Sequence, residues 1–173
     1  MSIFKRSAMV VVGVLSMLLV GTAAHAVLTA RSGGAVDVHR FVHQDVATNT
    51  TSTVFTDVPS ATTSVTIPSG QSRLFNARFS AESQCSGTSG GYCSVRIVVV
   101  LPSGAIVELN PSSGTDFAFD SAGSTVDWES HAMERTSTRY GAGTYRIKVQ
   151  ATRVGTATSL RLDDWTLAVA SIR

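Results

Sequence analysis

TYRIKVQ, residues 144–150, alternates without a break. Tyr145, Ile147 and Val149 fall on one face, and Arg146, Lys148 and Gln150 on the other. A period of two belongs to a β-strand with one buried face, because successive side chains point to opposite sides of a sheet. The same reading extends outward. RLFNARFS, residues 73–80, sets Phe75, Ala77 and Phe79 on one face, with Arg73, Asn76, Arg78 and Ser80 largely on or near the other. SVRIVVVL, residues 94–101, sets Val95, Ile97, Val99 and Leu101 on one face. Val98 and Val100 join Arg96 on the other, so this strand is expected to be covered on both sides.

LRLDDWTLAV, residues 160–169, carries an irregularity. Leu160 and Leu162 have even parity, whereas Trp165, Leu167 and Val169 have odd parity. A slip of one residue sends every later side chain to the wrong face, and a β-bulge at Asp163-Asp164 absorbs that slip. No long stretch carries helical spacing. Pro68-Ser69-Gly70, Pro102-Ser103-Gly104, Pro111-Ser112-Ser113-Gly114 and Gly141-Ala142-Gly143 punctuate the β runs as turns. Eight or more strands at this spacing predict an all-β fold, an antiparallel β-sandwich of the jelly-roll kind. The Thr/Ser-rich stretch 47–66 also holds Val54, Phe55, Val58 and Val65, which favours short strands over a linker.

The chain opens MSIFKRSAMVVVGVLSMLLVGTAAHA. Lys5 and Arg6 form a basic n-region, Ala8 to Val20 an apolar run, and Ala24-His25-Ala26 a signal-peptidase site. This is the pattern of a secretory signal peptide over residues 1–26, and the apolar run is short for a membrane span. The expected organisation is residues 27–50 as an N-terminal arm with a candidate first strand, its beginning mobile, then a single sandwich domain over 51–173. The whole chain has 14 Lys+Arg against 12 Asp+Glu; Lys5 and Arg6 leave with the leader, so the mature chain is formally neutral. A neutral domain lacks the basic excess that nucleic-acid binding requires. The expectation is an extracellular protein with no membrane contact after cleavage.

Five segments together resemble a recurring pattern: VTIPSGQSRLFNARFSAESQC, YCSVRIVVV, SHAMERTS, GAGTYRIKVQ and RLDDWTLAV. The chain over roughly 65–171 resembles uncharacterised secreted β-sandwich proteins of actinomycete-type bacteria. Its strand order is similar to the jelly-roll heads of the C1q/TNF kind, in which a glycine–tyrosine strand like the one at Gly143 and Tyr145 precedes a closing strand. Such heads bind and assemble, so the resemblance implies no catalytic residues and a candidate homo-oligomer.

Cys85 and Cys93 are the only cysteines. In an exported chain two cysteines read as one disulfide. Seven intervening residues do not fit a CxxC redox pair, and no histidine cluster adjoins them for zinc. With strands on either side, the bond is expected to close a hairpin loop. In DVHRFVHQD, residues 37–45, a strand places Asp37, His39, Phe41, His43 and Asp45 on one face. His39 and His43 are weak metal candidates, because the spacing is common and no third histidine is near; a polar strand face is the plainer reading. Asp163 and Asp164 are weak calcium candidates without a D-x-D-x-D-G loop, and pairing with Arg146 or Arg161 explains them more simply.

His131 can form an acid–base pair with Glu129 or Glu134, and Asp116, Asp120, Asp127 and Glu129 are carboxylates without a distinguishing spacing. There is no G-x-S-x-G elbow to mark a hydrolase serine. Of the aromatics, Trp165 falls on core parity, Tyr140 is a weaker stacking candidate, and Tyr92 and Trp128 are the better exposed ones. Tyr92, Trp128 and His131 are therefore the candidate ligand surface. The function expected is a non-catalytic extracellular binding or structural module for a glycan or protein ligand, with no cofactor and no metal assigned. The alternative is a secreted carbohydrate-active or other hydrolase.

Overall fold

The computed structural model describes residues 30–123 and 127–173, so the expected signal peptide lies outside the described residues. Ser32–Arg173 forms one compact unit. Among the described residues no helix is long and apolar enough to cross a membrane.

The strands, in chain order, are β1 (Val36–Gln44), β2 (Thr48–Thr50), β3 (Thr56–Ile67), β4 (Leu74–Gly87), β5 (Tyr92–Val100), β6 (Ile106–Glu108), β7 (Asp120–Ser121), β8 (Glu129–Thr136), β9 (Gly143–Val154) and β10 (Ala157–Ile172). The first sheet runs β1-β10-β4-β8, with β2 also on β10; the second runs β3-β9-β5-β6, with β7 on β5. Among the described residues, every pairing between these strands is antiparallel. Without the two short strands β2 and β7, the first sheet takes the first, eighth, third and sixth strands, and the second takes the second, seventh, fourth and fifth. Two interlocked Greek keys produce that interleaving, which is the jelly roll.

The alternations seen in the sequence supply the core between the sheets. Phe75, Ala77 and Phe79 of β4 are fully buried, as are Val95, Ile97 and Val99 of β5 and Ile147 and Val149 of β9. Trp165 of β10 packs 6.2 Å from Phe79, ring centre to ring centre. The outer face of the second sheet is covered too. The chain after β2 lies across it: Thr152 and Arg153 bond the Ser52 carbonyl, and Arg96 stacks on Phe55 at 4.1 Å. Ser94, Val98, Gln150 and Thr152 are buried as a result. Gln150, placed outside by simple alternation, instead accepts from Arg96 and donates to Asp57 at 2.7 Å.

The bulge in β10 lies where the parity flips. Asp163 pairs with Glu82, but the next paired residue, Thr166, meets Ser80, so three steps on β10 match two on β4. Asp164 takes a left-handed φ of 43°, and its N–H donates to Asp163 Oδ1 at 3.0 Å. The two acids thus shape the bulge rather than pair with arginines, and Arg161 turns to Trp128.

Three expectations change. The domain does not begin at residue 51, because β1 pairs with β10 along almost its full length and belongs to the sandwich. Asp37 does not share a face with His39 and His43. A register shift between Val36 and Val38 turns it aside to ion-pair with Arg73 and Arg173. Arg73 follows the parity of Phe75, and its buried head group is satisfied there by Asp37, Gln71 and the Ser72 carbonyl.

Asp164→Val is expected to cost about 1–2 kcal/mol, because a β-branched residue resists the left-handed conformation, whereas Asp164→Gly loses little. Urea unfolding of the two variants measures the difference, and equal midpoints would contradict it.

Burial alone would raise the carboxyls of Asp37 and Asp57. Hydrogen bonds from Arg173 and Arg73, and from Lys148 and Gln150, outweigh it and hold both below their ordinary 3.8. A carboxylate with a lowered folded-state pKa contributes stability that is present above the unfolded value and lost as pH falls through the folded one. Stability is therefore expected to fall below a pH of about 3.8, and less steeply in Asp37→Asn, when unfolding is followed by circular dichroism at stepped pH.

Candidate functional site

At one end of the sandwich, polar side chains occupy positions whose parity points them between the sheets. On β4 the inward series Phe79, Ala81 continues to Ser83 and Cys85, and on β8 the inward series Met133 continues back to His131 and Glu129. Register sets Ser83 opposite Glu129, and Ala81 opposite His131. From the other sheet, β7 brings Asp120, which pairs with Cys93 of β5.

These side chains form a chain of contacts. Ser83 Oγ donates to Asp120 Oδ2 at 2.9 Å and lies 2.9 Å from His131 Nδ1. On its far side, His131 Nε2 is 3.4 Å from Glu129 Oε2. The imidazole also packs on Phe119, 5.5 Å between ring centres. Ser83 is fully buried and Asp120 is 6% exposed, while Glu129 stands in solvent. Burial therefore deepens from Glu129 through His131 to Ser83.

Beside the cluster, the disulfide joins Cys85 to Cys93 with 5.8 Å between Cα atoms. It does not close a hairpin. β4 pairs with β10 and β8, and β5 pairs with β9, β6 and β7, so the bond ties one sheet to the other. The connection between the cysteines arches over the edge of the sandwich against the β9–β10 turn. Gly91 is required there, since a Cβ would lie 2.2 Å from the Ala157 nitrogen. The Ser83–Asp120 hydrogen bond is a second tie in the same place, two residues from Cys85 on one side and directly across from Cys93 on the other.

The expected ligand surface is split by the structure. His131 points inward. Trp128 is 40% exposed, and Arg161 on the outer side of the first sheet lies 5.0 Å from its ring centre. Tyr92 has the outward parity of the second sheet, and its hydroxyl donates to the Thr115 carbonyl at 2.9 Å. Tyr140 stacks on Tyr145 at 5.0 Å and packs near Phe75, so it belongs to the core edge. Glu134 is tied to Asn76 at 2.7 Å on the outer face, away from His131.

Of the weak metal candidates, His39 lies with its ring 4.2 Å from Phe41. His43 and Asp164 line a common cleft of about 440 Å³ with Asp45. Among the described residues, the only group of three or more ligand-type side chains brought within 4.8 Å of one another is Asp120, Glu129 and His131. Ser83 was missed by motif reading. Its signal was a polar residue on the core parity of β4.

No family model and no curated protein matches the chain. Solved structures do. A mutant VP2 protein of infectious bursal disease virus is 12% identical over 89% of this chain, with a TM-score of 0.39; this chain spans only 36% of that one. The CBM22-1 xylan-binding domain from Paenibacillus barcinonensis Xyn10C is 9% identical, covering 83% of this chain and 99% of that one, with a TM-score of 0.35. The sugar-binding EclA C-terminal domain is 11% identical, covering 85% and 86%, with a TM-score of 0.25. Every one of these TM-scores is below 0.5, and none bears on the ligand of this chain.

Reduction of the Cys85–Cys93 bond is expected to cost about 2–4 kcal/mol, the usual worth of a disulfide. Urea unfolding with and without reductant reads it, and an unchanged midpoint would show that the hydrogen-bonded tie suffices.

Proposed function

We propose that the protein is a secreted, non-catalytic binding module whose ligand is a glycan. The observation that carries this reading is Trp128. Its indole is exposed yet held by the Arg161 guanidinium, so a flat apolar ring is offered to solvent at small entropic cost. Trp128 immediately precedes Glu129, which pairs with Ser83, so it lies level with Gln84, the register partner of Arg161. Asn49 is the next neighbour of Arg161 across β2. An aromatic platform flanked by hydrogen-bonding groups suits a sugar ring, which presents an apolar face and a rim of hydroxyls. The disulfide supports export, since such bonds persist in oxidising compartments.

The hydrolase reading has one observation in its favour, the serine–histidine–acid order of Ser83, His131 and Glu129. The burial of Ser83 opposes it. A hydroxyl with no exposure, already bonded to Asp120, does not reach a substrate carbonyl in this conformation.

On a glycan array the disulfide-bonded protein is expected to bind a restricted set of sugars. Trp128→Ala should weaken that binding by about tenfold or more, as loss of a central aromatic anchor does. A flat array, or binding indifferent to Trp128, would remove the glycan reading.

A further inference from the structure

We infer that Asp120, Glu129 and His131 form a binding site for a divalent transition cation of the zinc class, at the mouth between the two sheets. Ser83 Oγ has two close neighbours, Asp120 Oδ2, to which it donates, and His131 Nδ1, each at 2.9 Å. Nδ1 is therefore the ring nitrogen engaged with Ser83, and Nε2 is the one left facing the Glu129 carboxylate.

The separation of Nε2 from Glu129 Oε2 is 3.4 Å. Two ligands about 2.0 Å from a tetrahedral zinc stand about 3.3 Å apart. The gap thus matches the edge of a zinc coordination shell.

The surroundings agree. Metal-bound histidines fix their tautomer by donating the other ring N–H to an oxygen, which Ser83 provides, itself held by a carboxylate. Asp120 is buried and bonded to the Ser83 hydroxyl, with no Lys or Arg ion pair among the described residues. One ligand atom from each of Asp120, Glu129 and His131 lies within 4.8 Å of the other two. One nitrogen and two carboxylates suit zinc, and water would complete the shell. The exposed Glu129 side gives the ion its way in. A bound ion would join β7 of one sheet to β8 of the other, on the same end as the disulfide. It is independent of the glycan surface at Trp128, which faces outward.

The test is titration of the purified disulfide-bonded protein with zinc by calorimetry, and with cobalt(II) by visible absorption. One equivalent is expected to bind, with a tetrahedral cobalt spectrum and a higher unfolding temperature. His131→Ala and Asp120→Asn should abolish these signals, and Ser83→Ala should weaken zinc about 10- to 100-fold, as loss of a ligand-orienting partner does. His43→Ala should change nothing. Because inward-facing variants can misfold, the unmodified protein gives a separate reading. Nitrogen NMR of His131 should show Nε2 shifting on zinc addition. Silence at millimolar zinc, an Nε2 that stays unshifted, or binding that survives His131→Ala in a folded variant would overturn the site.

Discussion

One extra residue in β10 governs the core. This strand is central to the first sheet, with β1 and β2 on one edge and β4 on the other. Without the bulge at Asp163-Asp164, Leu160 and Leu162 would face the core while Trp165, Leu167 and Val169 faced water, or the reverse. Burial of a large apolar side chain contributes about 1.5–3 kcal/mol, and three of them depend on the bulge. The left-handed backbone at Asp164 costs about 1–2 kcal/mol. Burial wins by a wide margin, and the bulge falls where it disturbs least. Gln44 of β1 pairs with Trp165 and Thr48 of β2 with Leu162, so the irregular residues lie in the gap between two neighbours.

A sandwich whose sheets meet mainly through side chains is steadied by ties at its ends. Two of them share one register here. Cys93 anchors β5 to Cys85 of β4, and Asp120, directly across from Cys93, hydrogen-bonds Ser83 two residues along the same strand. β7 is only two residues long and has little ladder of its own. Its position rests on these neighbours, and so does the carboxylate it carries into the mouth.

The fold was legible because one physical signal, the period of two, repeats in β4, β5 and β9 and on either side of the bulge in β10. The parity flip at Asp163-Asp164 located the bulge without any structure. The cysteine pair was legible as a bond but not as an inter-sheet bond. Sequence separation reports that a loop is short, not whether the chain turns within a sheet or crosses an edge. Gln150 and Asp37 escaped alternation for similar reasons. A covering segment buried the first, and a register shift redirected the second. The site was legible only in fragments. His131, Glu129 and Asp120 each stood out as ionisable residues, but nothing in one dimension brings β7 beside β8, because their sheets face each other through the fold's crossovers. Ser83 was hidden by its ordinariness, although its inward parity marked it.

The same buried serine decides which chemistry this end of the molecule supports. A nucleophile must present its oxygen to a substrate and release its proton to a base. Ser83 directs its proton to Asp120 and is enclosed between the sheets, so its oxygen is not presented to a substrate in this conformation. It also lies against the imidazole of His131, whose outer nitrogen is left facing the exposed Glu129. An arrangement that resembles a catalytic triad by residue type is therefore turned inside out. Its serine is at the bottom and its acid at the surface, and only the histidine–carboxylate end is open to anything arriving from solvent.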